Sequence, residues 1–251
     1  MLQAMYLPRH FEGDRSQAAA LIRQNPFASL ISVDDAGLPF VTHLPLHLEE
    51  TNADAGAEQG NFVLLGHVAK ANPHWRLLQV RAQAVVTFLG PHSYLSPKVY
   101  PDLARVPTWN YLAVHCTVQA RLIEEPEAKD ALLKKLIGDH EPSYAQQWRG
   151  LGEEFAHKML AGIVAFELQV THWQCKVKLN QHRPEAHAAT QAMYAGGNEH
   201  EQALARWMDL PDNEVAPAMP LQGQLVQHQH ARPLVESALQ PLRVRPDDVN
   251  V

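Results

Sequence analysis

Cysteine is scarce: 251 residues carry two thiols, Cys116 and Cys175, each alone inside an apolar stretch. That placement argues against a disulfide framework or a zinc knuckle and reads as two buried free thiols. Surplus positive charge is missing too. With 21 Lys and Arg against 27 Asp and Glu the formal charge is −6, so the chain lacks the field that holds proteins to nucleic-acid backbones without sequence preference. DNA is a possible partner only through local contacts, and net charge does not support it. No apolar run approaches the roughly 20 residues that cross a bilayer. The opening MLQAMYLPRHFEGDRS has neither a basic nor an apolar leader region, so no membrane partner and a cytoplasmic location are expected. Motifs with a fixed chemistry are absent as well: there is no Walker A loop, G-x-G-x-x-G, G-x-S-x-G or H-E-x-x-H. Hydrolase readings therefore have no anchor.

What is present is a foldable chain, 46% hydrophobic and 19% charged, with 15 histidines scattered along it. Asp14 is placed to cap a helix running to Asn25, where Asn25-Pro26 ends it. Ala28–Val33 and Leu38–Leu48 read as a hairpin about Asp34-Asp35-Ala36-Gly37, with an exposed loop at Thr51–Gly60. Further strands are expected at Asn61–His67, Ala84–Leu89, Trp109–Leu122 and Ile163–Val170, the last fading toward Trp173. Helices are expected at His74–Val80, Glu127–His140, Gly152–Leu160 and Glu199–Asp209. Gly90–Pro97 is too rich in breakers for regular structure and reads as the start of a long loop to Pro107. Meandering strands with helices inserted late predict a mainly β, α+β architecture: an antiparallel barrel or sandwich rather than a parallel sheet. Residues 1–183 are read as the barrel domain. Residues 184–251 are read as a helical, proline-rich extension, partly irregular.

Four clusters carry candidate chemistry. In Gly66-His67-Val68-Ala69-Lys70-Ala71-Asn72-Pro73-His74-Trp75 a cation, an amide and a helix start follow a strand, as a phosphate dianion requires. By motif alone the plainer reading, a solvated lysine in a strand-to-helix loop, is favoured. Thr42 and His43 sit on an otherwise apolar strand that Pro45 marks as an edge or bulge. A hydrogen-bonded core histidine explains them as well as a ligand contact does. His92–Pro97 and Val106–Tyr111 bring aromatic faces and hydroxyls into neighbouring segments, suited to a planar ligand or simply to closing a barrel end. Trp173–Arg183 alternates cations with apolar positions, as a protected edge strand or a second anion contact would. His228 and His230 lack a third ligand at metal spacing, so no metal is expected.

The order of these blocks is itself informative. Met5–Phe11, Asn25-Pro26-Phe27-Ala28, Thr42-His43-Leu44-Pro45-Leu46, Gly66–Pro73, Gly90-Pro91-His92 and Val106-Pro107-Thr108-Trp109-Asn110-Tyr111 together resemble the PaiB family, FMN-binding negative transcriptional regulators. The match covers residues 5 to about 183. The resemblance implies a split β-barrel of the pyridoxamine-phosphate-oxidase type, acting as a homodimer with FMN at the subunit interface. On this chain it implies Lys70 and Asn72 at the phosphate, Thr42, His43 and His67 lining the site, and Trp109 and Asn110 near the ring system. Leu44, Ala69, Trp75, Ser96, Lys178 and Gln181 complete the cofactor set, with no catalytic side chain among them. Lys178–Arg183 differs from the family's K-L-S-Q-N-R at Asn180 and His182, and Val99 stands where a Trp is usual. A flavin-dependent oxidoreductase acting on NAD(P)H or a small molecule is the alternative, because a flavin performs its own chemistry. Haem binding through His182 or His228 is a remote one.

Overall fold

The structure, a computed structural model, describes residues 5–51, 62–102 and 104–209. The expected loop past Thr51, the pair His228 and His230, and the proline-rich tail lie outside the described residues.

Asp14 does cap the first helix, α1 (Arg15–Gln24): its carboxylate accepts the Gln17 N–H at 2.8 Å, and the Gln17 side chain accepts the Asp14 N–H at 3.0 Å. Two orphan donors are satisfied reciprocally, and Ala18, Leu21 and Ile22 turn inward. Strands β1 (Phe27–Val33) and β2 (Pro39–Pro45) form the first hairpin. The Asp34 carboxylate accepts the Ala36 and Leu38 N–H groups there, and Gly37 adopts φ 81°, a conformation cheap only for glycine. The order continues β3 (His47–Glu50), β4 (Phe62–Ala69), α2 (His74–Val80), β5 (Gln83–Leu95), β6 (Thr108–Ile123) and α3 (Pro126–His140). It closes with α4 (Tyr144–Gly150), α5 (Glu153–Ala161), β7 (Ile163–Lys178), α6 (His187–Ala195) and α7 (Glu199–Met208).

The seven strands make one antiparallel sheet in the order β2-β1-β5-β6-β7-β4-β3. Its two edges, β2 and β3, are separated in sequence by Leu46 alone, so the chain itself forces them together. The sheet is therefore rolled into a barrel, with β2 against β4 across the split. Leu46 is buried at that corner, its N–H donating to the Pro26 carbonyl at 3.0 Å. Gly66 permits the approach, since a Cβ there would collide with the Leu46 side chain. Inside lie Leu30, Leu64, Val86, Phe88, Leu112, Val114, Phe166 and Leu168, and α1, α6 and α7 add Leu21, Ile22, Tyr194, Leu204 and Trp207 to the same core. Val63 and Leu65, on the opposite face of β4, pack under α3 with Leu132 and Leu136.

Three expectations change. Gly90–Leu95 is not loop: β5 runs through it, with a bulge between Leu89 and His92 that absorbs Gly90 and Pro91. β7 does not fade at Trp173 but continues to Lys178, past a bulge opposite Thr117 and Val118. Helices α4 and α6 occupy stretches in which no helix was expected.

Candidate functional site

The expected site residues fall into two groups. The first gathers where β2 meets the β4–α2 loop, and its hub is Thr42. The Asn72 amide donates to Thr42 Oγ1 at 3.2 Å, and His74 Nδ1 lies 2.8 Å from the same oxygen. His74 Nε2 lies 3.0 Å from Ser32 Oγ on β1, and the Phe40 ring meets the imidazole edge to face at 5.1 Å. Lys70 is exposed and makes no ion pair among the described residues. Its backbone is pinned: its N–H donates to the Gly162 carbonyl and its carbonyl accepts the Trp75 indole N–H at 3.1 Å. Asn72 is partly spent internally, because its Oδ1 caps the His74 N–H at 3.0 Å.

Strand alternation divides the remaining members of this group. Leu44 joins the core on the Thr42 side of β2, while His43 faces outward, 3.0 Å from Ser29 Oγ and stacked on Phe27. His67 is half-buried on the β4 face that it shares with Val63 and Leu65. Burial pushes its pKa down, and its buried Nδ1 has no hydrogen-bond partner among the described residues. Ala69 is exposed at the strand end.

The second group lies across β5, β6 and β7. Trp109 and Tyr111 project outward from β6 beside Tyr94 and His92, with Trp109 and Tyr94 6.3 Å apart edge to face. Lys178 donates to Thr108 Oγ1 at 2.7 Å and lies 5.8 Å from the Tyr111 ring. Lys176, two residues earlier on the same face, lies 5.2 Å from that ring and donates to the Tyr6 carbonyl at 2.8 Å. Neither lysine has a carboxylate within ion-pair distance among the described residues. Burial, with Lys176 beside it, lowers the Lys178 pKa. Asn110 follows Trp109 and so points the other way. It is fully buried against Tyr194 of α6. Gln181 serves its own turn, donating to the Val177 carbonyl and accepting the Leu179 N–H, and Ser96 caps a short 3-10 helix. His182 is exposed, its ring tilted against that of His10 at 5.0 Å.

Two residues of this polar framework escape sequence reasoning. Ser32 looks like a strand serine, and its role emerges only from the register that sets β1 beside β2 and α2. Lys176 reads as one of an alternating pair until its pairing with Ala113, two residues beyond Tyr111 on β6, is known.

An antiparallel sheet rolled into a split barrel that carries, among the described residues, one unpaired cation in a strand-to-helix loop and two more against an aromatic face has the architecture of the split-barrel flavoproteins. The chain belongs to the family described as "Putative FMN-binding domain", which matches residues 5–172. It is 31% identical over 183 residues to a Bacillus subtilis protein named protease synthase and sporulation protein PAI 2, covering 72% of this chain and 84% of that one. An uncharacterized Saccharomyces cerevisiae protein is 27% identical over 153 residues, 53% of this chain and 86% of its own. Among solved structures the fold resembles the flavocytochrome Anf3 from Azotobacter vinelandii, with a TM-score of 0.53 and 16% identity over 97% of this chain and 94% of that one. It also resembles an FAD and haem binding protein from Mycobacterium smegmatis, with a TM-score of 0.50 and 20% identity over 66% and 71% of the two chains. At these identities the structural likeness establishes the fold. The protein binds FMN, and its residues suit that cofactor: Lys70, Lys176 and Lys178 are cations without carboxylate partners among the described residues, and Trp109, Tyr94 and Tyr111 offer aromatic surface to a planar ring.

Proposed function

We propose that the protein is a homodimeric FMN-binding regulator of the PaiB type, with each flavin held between the Thr42–Lys70 surface of one protomer and the Trp109–Lys178 surface of its partner. One observation carries this reading. The two groups of flavin-compatible residues stand on different parts of the sheet, β2 and β4 against β5, β6 and β7, so one planar nucleotide meets both more readily from two chains than from one. Between them the outward face exposes Phe27, Val41 and Leu89, apolar surface of the kind that association covers. Bound FMN supplies a centre that accepts or gives electrons. Lys70 would meet its phosphate and Trp109 its ring, while the residues around them exclude water. Redox state or a small ligand would then bias the dimer, and through it the contacts that control transcription. The Bacillus relative's name refers to protease synthase and sporulation, and a control role for the present chain follows the same line.

The first experiment is the visible spectrum of the purified protein before and after addition of FMN, followed by sedimentation. A flavin spectrum with a dimer mass supports the reading, and a protein that refuses added FMN sinks it. Lys70→Ala should weaken FMN binding, and unchanged affinity in a titration would remove Lys70 from the phosphate. A flavin-dependent oxidoreductase is favoured by one observation, the formal charge of −6, which discourages direct DNA contact. Sequence-specific DNA binding that survives physiological salt supports the regulator, whereas steady NAD(P)H turnover with a defined acceptor supports the enzyme.

A further inference from the structure

The hydrogen bonds around Thr42 determine which way its hydroxyl proton points. The Asn72 amide is oriented without ambiguity, because its Oδ1 accepts the His74 backbone N–H. Its other branch is therefore the NH2 group, which donates to Thr42 Oγ1. His74 is 0% exposed and Ser32 3% exposed, and a neutral imidazole carries one proton on one of its two nitrogens. If that proton sat on Nε2, Ser32 would accept it. The serine's own buried O–H would then face no acceptor among the described residues, a costlier arrangement than a satisfied one. With the proton on Nδ1, Ser32 donates to Nε2 and Nδ1–H donates to Thr42 Oγ1. Both acceptor positions of the Thr42 oxygen are then filled, by Asn72 and by His74. Its O–H has no inward acceptor left, and Thr42 keeps partial exposure beside the Lys70 loop.

We propose that Ser32 and His74 lock the Thr42 hydroxyl as an outward-facing hydrogen-bond donor to an acceptor oxygen of FMN, with Thr42 the contact and His74 the positioning residue. The inference rests on the FMN reading of this site and adds the polarity of one of its contacts. Phe40 supports it by fixing the plane of the imidazole.

Two measurements decide it. Nitrogen NMR of the flavin-free full chain, labelled at histidine, reads the tautomer directly. A His74 protonated on Nδ1 is expected, and one protonated on Nε2 overturns the lock whatever FMN does. The second is a double-mutant cycle on the FMN dissociation constant. Thr42→Val should weaken binding about tenfold, as loss of a hydrogen bond to a polar or charged group does, and Thr42→Ser should restore it. His74→Phe should weaken FMN by a similar factor in the wild-type background and by none in the Thr42→Val background. Equal weakening in both backgrounds overturns the proposal, because a merely structural histidine would act that way. Should His74→Phe fold poorly, Ser32→Ala takes its place: it removes the proton that selects the tautomer, and it should give mixed His74 tautomers and weaker FMN binding. Riboflavin locates the acceptor oxygen. Thr42→Val that weakens FMN alone assigns the phosphate, and equal weakening of both flavins assigns an oxygen of the ring or of the ribityl chain. If the wild-type chain binds no FMN, the site reading fails while the NMR result still judges the lock.

Discussion

A histidine that accepts through one ring nitrogen and donates through the other does so only while it is neutral, which ties the stability of this protein to pH. Burial pushes the His74 pKa down to about 4 from an ordinary 6.5. Between those values the unfolded chain binds a proton that the folded chain refuses. Stability is therefore full above about pH 6.5 and is lost as pH falls toward 4, by roughly 3 kcal/mol at most. Urea unfolding across that range should show this slope, and His74→Phe should flatten it. His67, also lowered by burial, adds loss of the same sign. The two thiols behave as the sequence implied. Burial pushes Cys116 and Cys175 up to about 12, so neither should react with maleimide at pH 7.5 until the protein is unfolded, and rapid labelling of the native state would contradict their burial. At this scale the site was half legible. Lys70 and Thr42 stand out as polar residues in apolar surroundings. Nothing in one dimension says that Asn110, adjacent to Trp109, is turned into the core, or that a serine on β1 completes the network.

Elements were legible wherever one periodicity ran unbroken. The capped helix α1, the hairpin β1–β2 and the helix α2 fall within a few residues of expectation. Both strands that were cut short contain a bulge. In β7 the inward positions are Phe166, Leu168 and Val170 before Thr171, then Cys175 and Val177 after it. One inserted residue reverses the phase, so an alternation count sees a strand dissolving where it only changes step. Pro91 disguised β5 similarly, since proline is tolerated in a strand where a bulge leaves its nitrogen without a ladder bond to make. Helix α6, HAATQAMYA, is built from small residues and buries little besides Thr190 and Tyr194, which leaves no stripe to detect. Two substitutions test elements. Asp14→Ala removes the α1 capping box and should cost about 1 kcal/mol in chemical denaturation. Gly66→Ala drives a methyl group into Leu46 and toward Phe166 at 3.4 Å, and should destabilise by about 1–3 kcal/mol as overpacking does.

For the whole molecule the outward face of β1, β2 and β5 is the proposed meeting surface of two protomers. Leu89→Asp places a carboxylate on it without disturbing the core, since Leu89 is exposed. Sedimentation should then report a monomer with greatly weakened FMN binding, and a mutant that stays dimeric would move the interface elsewhere. The rolled sheet also governs how the chain can be assembled and taken apart. A sheet with free ends can be built by adding strands outward from any hairpin, but here the strands at the two ends are sequence neighbours. Pairing β1 with β2 drags β3 along, and its partner β4 finds its place only on meeting β7, about 100 residues further along the chain. Folding should therefore be slow and all-or-none, dominated by that long closure. The same joint is the molecule's weak link: a single backbone cut at Leu46 would release two strand edges at once, and the nicked protein should turn from a self-contained barrel into one that recruits its own copies edge to edge.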